Sequence, residues 1–475
     1  MILYILFFFG IIKSQENYSY QKPPPEILEL VDITLPPRVL IDENKNFMIY
    51  LYRNSYKSID DLSSTEIKLA GLRLNPNSNS RSRTNYYNNI MISKMDQIDK
   101  SAKQIKGLPK NPKLANIKWS PDQTKIAMTN TKEEGVELWY IDLEKLTAKK
   151  LTGPKLNASL GDVITWYQDS KNILTKFKLK NSPDIIDGED VVPTGPIISS
   201  NDGKKAQNRT YQDLLKNEVD EKNFETLARS VLSKVSLKGK TKLLVKKNLY
   251  HEIDFSPDGK FILISIIQKP FSYLVPYYRF PMKHAIYSSK GKELTVLHEV
   301  PLIEDLPKGF MAVRTGPRNF SWRSDRPSNL IFVEALDGGN PETDIKYRDE
   351  IFEVGYPFKQ NKVSLLKTIN RFYRIDWCND TLALGYDYWW NTRNTKTYVF
   401  SPSNSNKKPK IIIDRNYQDR YNDPGSFVKR RNFYGKSILA VNKNNLFLMG
   451  DGFRDDGQFP FIDQVDLNSL KKVRL

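Results

Sequence analysis

Three histidines (His251, His284 and His298) and one cysteine (Cys378) are all the chain offers for metal or thiol chemistry. The histidines have neither the spacing of a helical zinc pair nor cysteines beside them, so no metal site is expected. A single cysteine excludes an intrachain disulfide. Serine catalysis calls for a Gly-x-Ser-x-Gly elbow, whose second glycine permits a tight strand-to-helix turn. The nearest stretch, Gly435-Lys436-Ser437-Ile438-Leu439, lacks that glycine and reads as a plain strand. No histidine follows His298 to act as a late general base. Gly338-Gly339 and Gly450-Asp451-Gly452 read as hairpin turns rather than a phosphate cradle. Asp455-Asp456 reads as a solvated acid pair. No catalytic residue and no cofactor are therefore expected in this chain.

The elements that would have to position any site carry a clearer signal. An aromatic-x-x-Asp turn recurs at Trp119–Asp122, Trp166–Asp169, Phe255–Asp258, Trp322–Asp325 and Trp377–Asp380. A weaker copy spans Val39–Asp42, and a degenerate one is expected around Ile438 to Leu448. The aromatic ends one strand, and the Asp binds its own backbone through a tight turn. A β-branched run such as Phe261–Ile267 then forms a fully buried strand. The steps between copies are irregular, but each accommodates a four-stranded unit of about 40–50 residues. This pattern predicts an all-β fold, a β-propeller of about seven four-stranded blades with loop insertions. The propeller is expected over 36–475, after an N-terminal extension over 15–35. Insertions are expected over about 54–83 and 180–225, the second with a short helix at Tyr211–Asn217.

Composition agrees with a folded, exposed-loop protein. The 475 residues are 39% hydrophobic and 12% aromatic, enough for a substantial core and unlike a disordered chain. The 73 basic and 55 acidic residues leave a net charge of +18. That charge is spread along Lys/Asn-rich turns instead of being gathered into a patch, so nucleic-acid binding is not expected and attraction for acidic peptides is. Ile2–Ile12 is an apolar run ended by Lys13-Ser14-Gln15. It is too short to span a bilayer and fits a signal peptide over 1–14. An exported protein, periplasmic or extracellular, with no transmembrane span is the expectation.

Longer stretches then carry a resemblance. Among them are Tyr20–Leu28, Leu69–Pro76, Gly135–Trp139, Arg209–Asn217, Pro270–Pro281, Val313–Arg318, Val333–Gly339 and Asp419–Ser426. Together they resemble the N-terminal propeller region of the prolyl oligopeptidase family of serine peptidases, most closely its glutamyl endopeptidase branch. The resemblance implies a propeller that restricts access of peptides to a Ser-Asp-His triad on an α/β-hydrolase domain following it in sequence. The chain ends at Leu475 without that domain, so it is expected to be inactive alone, the gating and docking part of a truncated or split peptidase. A separate α/β-hydrolase domain and a peptide substrate are the implied partners. The branch cleaves next to acidic residues, which implies cationic groups along the substrate path. Arg279, Arg314, Arg318 and Arg420 are the candidates, because a guanidinium holds a carboxylate through paired hydrogen bonds. Tyr277, Tyr278, Trp389 and Trp390 are candidates for a channel lining. For each arginine the competing expectation is a structural ion pair, for example Arg420 with Asp423. For the whole chain it is a stand-alone peptide- or protein-binding propeller without catalysis.

Overall fold

The computed structural model describes residues 21–97, 102–187, 210–359, 362–404 and 406–475. The signal-peptide expectation and part of the second insertion lie outside these residues. The protein is a β-propeller of seven four-stranded antiparallel blades, built in chain order, with small separate sheets inserted within blades 1 and 7. Blade 1 comprises Arg38–Ile41, Phe47–Tyr52, Asn89–Lys94 and Lys103–Gln104. Blade 2 runs from Leu114–Trp119 to Thr147–Lys150. Blades 3 and 4 share one long strand, Thr241–Phe255. Its first half, to Asn248, pairs with Ser230–Ser236 and its second half, from Leu249, with Phe261–Ile267, with a register shift at Tyr250/Glu252 in the second pairing. Blade 5 opens with Arg318–Trp322, blade 6 with Arg371–Asn379 and blade 7 with Ser426–Phe427.

The recurring turn explains itself at atomic level. In blade 2 the Asp122 carboxylate accepts from Ser120 Oγ (2.6 Å) and Thr124 N (3.1 Å). Asp258 in blade 4 does the same with Ser256 Oγ and Lys260 N. The aromatic residue ties each blade to its predecessor. Trp166 Nε1 donates to the Lys118 carbonyl (3.0 Å), and Trp322 Nε1 donates to the Asp254 carbonyl (3.2 Å). The β-branched run Phe261–Ile267 is the second strand of its blade, flanked on both edges and buried along nearly its whole length.

Apolar clusters fill the wedges between successive blades. Ile49 and Ile90 of blade 1 pack with Leu114 and Ile126 of blade 2, and Leu384 of blade 6 packs with Leu446 and Leu448 of blade 7. Such clusters join every consecutive pair from blades 1 and 2 to blades 6 and 7. Among the described residues none joins blade 7 back to blade 1, where Val39, Ile41, Met449 and Ile462 remain exposed.

Because the strands alternate in direction, the connections segregate to two faces. First-to-second and third-to-fourth strand connections lie on one face and are mostly tight turns. Second-to-third connections and the links between blades lie on the other, and nearly all the long excursions are there. Three of these excursions share a core of their own. Leu69, Leu72 and Leu74 from blade 1, Phe224 and Leu227 from blade 3, and Phe271 and Phe280 from blade 4 pack into one cluster. The helix in this cap is Glu218–Ala228, where Tyr211–Asn217 was the expectation. The difference has a local cause. Asn217 is the N-cap, accepting from Asp220 N, while Asp213 has φ +59° and accepts a hydrogen bond from Arg73 (2.5 Å).

Candidate functional site

The first strands of blades 2 to 5 converge on a central cavity of about 650 Å³. Its lining includes Lys118, Asp162, His251, Glu252 and Asp254, with Ser80, Arg81, Thr84 and Tyr86 of the cap at one end. A second cavity, about 1250 Å³, lies beneath the blade 1 excursion and shares Ser80, Arg81, Thr84, Tyr86 and Thr131 with the first. The two cavities thus adjoin at Arg81, on the side of the loop-bearing face. Gly161 (φ +58°) allows the chain to pass within the reach of blade 4, since a Cβ there would lie 1.8 Å from the His251 carbonyl oxygen.

Charges in the cavity are mixed and strongly perturbed. Lys118 pairs with Asp162 at 2.7 Å. Burial raises the Glu252 and Asp254 carboxyls above their ordinary values. Burial, then the neighbouring Lys176 charge, pulls the His251 imidazole down to about 4, and its Nδ1 has no hydrogen-bond partner. Lys176, fully buried, donates to the carbonyls of Leu160 and Tyr250 and so ties blade 3 to blade 4; burial lowers it to about 7. Among the described residues no cluster of three or more His, Cys, Asp or Glu side chains is placed to hold a metal.

The substrate-path and channel candidates all lie on the loop-bearing face, but the structure separates them. Arg318 is buried and paired with Asp349 at 2.5 Å. Arg314 lies half-buried between the carbonyls of Thr315 and Pro317, to which it donates, and burial lowers its guanidinium to about 10. Arg279 is buried in the cap and stacks over Tyr211 (5.2 Å). Tyr277 packs on the cap core and against the His251 ring (5.6 Å). Tyr278 is exposed beside it. Arg420 is exposed and lies over Phe453 (4.0 Å), while Asp423, its expected partner, pairs with Arg415 at 3.0 Å. Trp389 carries Arg348 on its face (4.1 Å), and Trp390 meets Phe310 and Arg393 at the surface. Arg81, at the neck between the cavities, was not foreseen. Nothing marks it in the sequence, since it sits in a Ser/Arg/Asn-rich stretch with no periodicity.

No family model matches the chain. It is 34% identical to the probable glutamyl endopeptidase, chloroplastic, of Oryza sativa subsp. japonica, over 97% of this chain and 51% of the relative. The probable glutamyl endopeptidase, chloroplastic, of Arabidopsis thaliana is 33% identical over 96% of this chain and 49% of its own length. The chain thus spans about half the length of these curated relatives. Similar solved structures include a prolyl endopeptidase (TM-score 0.43, 11% identity, 87% of this chain and 49% of that one). The β-propeller domain of the Trilobed protease from Pyrococcus furiosus is another (TM-score 0.39, 12% identity, 92% and 98%).

Proposed function

From the premise that this chain is the counterpart of the propeller region of the glutamyl endopeptidases, in the prolyl oligopeptidase family, we propose that it is a substrate-gating and docking module. It works with an α/β-hydrolase domain that supplies the serine nucleophile. The observation that carries this reading is the set of exposed apolar side chains on the face where both ends of the propeller lie. Tyr56, Leu62, Leu274, Tyr278, Phe310 and Tyr421 all stand out on the loop-bearing face. Large exposed apolar surface of this kind marks an interaction site. The first strand of blade 1 begins and the last strand of blade 7 ends at this same face, so a domain joined to either end of the propeller lies against it. Peptide reaches the tunnel past Arg81, and exposed cationic side chains such as Arg81 and Arg420 favour acidic peptides through charge-assisted hydrogen bonds. Delivery by the Ile2–Ile12 segment is part of the proposal, and N-terminal sequencing of the mature protein tests it.

The test is to express any bordering reading frame that encodes Gly-x-Ser-x-Gly with a later Asp and His together with this chain. Co-purification, with peptide hydrolysis next to Glu that neither half shows alone, is the expected outcome. Acidic-peptide binding by this chain without association with any such hydrolase would instead establish a stand-alone binding propeller.

A further inference from the structure

Between the first and second strands of blade 7, where other blades have a short turn, the chain inserts a hairpin, Lys429–Arg431 paired with Ser437–Leu439. Its root is held in blade 6, where Lys429 Nζ pairs with Asp376 (2.7 Å). Its far part touches the tight turns of distant blades. Arg431 pairs with Glu43 of blade 1 and donates to the Pro121 carbonyl of blade 2 (3.0 Å). Tyr434 O accepts from Gln168 Nε2 of blade 3 (2.7 Å), and Asn432 Nδ2 donates to Ser324 O of blade 5 (2.7 Å). The Asp258 charge of blade 4 acts on the Tyr434 hydroxyl. A segment rooted in blade 7 can reach blades 3 and 5 together only by crossing the propeller axis. Gly435 (φ +69°) makes the turn at the tip, where a Cβ would lie 3.5 Å from the Pro121 carbonyl oxygen.

We infer that the hairpin from Lys429 to Leu439 is a plug that closes the tight-turn mouth of the tunnel, leaving a blind chamber reached only from the loop-bearing face. The same element ties the two ends of the ring. Blade 7 and blade 1 share no apolar cluster among the described residues, and the Arg431–Glu43 pair spans that junction. Given the peptide-gating reading above, on which this consequence rests, a long chain cannot thread through the propeller. Substrates are limited to segments that enter and leave by one face.

The plug is tested without peptidase activity, so its failure and that of the gating reading are distinguishable. In a Cys378→Ser background, Thr165→Cys places a thiol on the cavity wall near the tight turns, and Asn116→Cys places one farther toward the loop face. Labelling by a small maleimide and by a maleimide on a bulky polymer is followed with the hairpin intact, and with 430–436 replaced by a two-residue turn. The bulky reagent is expected to label the Thr165→Cys protein about ten-fold faster once the hairpin is shortened, as loss of roughly 1.4 kcal/mol of closure would give. The Asn116→Cys protein should label at an unchanged rate. Equal rates at both positions with and without the hairpin would overturn the inference. If the shortened protein does not fold, the double variant Arg431→Ala/Asn432→Ala keeps the hairpin length and removes its ties to blades 1, 2 and 5. It should show the same acceleration, and an unchanged rate at position 165 would overturn the inference equally.

Discussion

Asp349 is fully buried between two guanidinium groups, Arg318 at 2.5 Å and Arg371 at 3.0 Å, and Arg371 also meets Asp337 at 2.8 Å. Removing one partner of such a group leaves a charge buried without compensation, which costs about 3–5 kcal/mol. Asp349→Asn is therefore expected to lower the urea midpoint sharply, and Arg318→Gln to lower it less, because Asp349 keeps its pair with Arg371. Arg81→Gln, in contrast, should leave the midpoint unchanged and weaken acidic-peptide binding measured by fluorescence anisotropy. A fold insensitive to Arg318→Gln would return that residue to the substrate path. The histidines add a pH dependence of definite sign. Burial, then the Arg314 charge, pulls the His284 imidazole to about 4, and its Nδ1 lies 2.9 Å from Ser265 Oγ. With His251 likewise near 4, the unfolded chain takes up protons below about 6.5 that the folded chain refuses. Stability is thus lost as pH falls from about 6.5 towards 4, and both states hold neutral imidazoles above that window. Urea midpoints at pH 5 and 7 check this, and His284→Gln should shrink the difference between them.

The cap depends on a helix that local chemistry starts at one residue. Asn217 caps Glu218–Ala228, and Phe224 packs edge-on against the stacked pair Phe271 and Phe280, with centroids at 5.2 and 5.9 Å. Asn217→Ala should cost about 1 kcal/mol, and Phe224→Ala about 3–5 kcal/mol. Both would be read from urea unfolding. A null effect of Phe224→Ala would mean that the cap does not unfold together with the blades. The capping signal is present in the sequence as Asn217-Glu-Val-Asp220, but the expected helix lies about two turns before the observed one. Asp213 and Leu215 are held by Arg73 and by the cap core, partners that come from blade 1 and blade 4.

Taken whole, the propeller is asymmetric in its connections, with mostly tight turns and a hairpin on one face and the long excursions on the other. Exposed apolar side chains stand on both, Phe433 and Tyr356 on the first, Leu274 and Tyr421 on the second. Such a surface without its partner associates. The isolated chain is expected to self-associate reversibly in sedimentation velocity. Leu274→Lys combined with Tyr421→Lys, both at exposed positions, should shift it to monomer without altering its melting temperature. Persistence of the oligomers in that variant would locate the contact elsewhere, with the exposed Val39, Ile41, Met449 and Ile462 junction as the next surface to examine.

The aromatic-x-x-Asp turns disclosed the blades because most are local devices: Asp122, Asp169 and Asp258 accept from backbone donors two or three residues on, and an aromatic ring closes the wedge to the blade before. Asp325 and Asp380 instead pair with Arg323 and Arg326. Strand alternation and burial of runs such as Phe261–Ile267 are equally local, so the propeller was legible in the chain itself. Blade 7 was legible only in part, because an inserted hairpin parts Phe427 from the second strand and breaks the spacing. Tertiary structure alone decided which arginines are spoken for. Arg314 and Arg318 stand four residues apart in one motif, yet one faces Asp349 and the other faces only carbonyls. It alone also brought Leu72, Phe224 and Phe280 into one cap, and laid Asn432 and Tyr434 across the axis. Those contacts join residues more than fifty positions apart, and no periodicity within a single stretch of sequence encodes them.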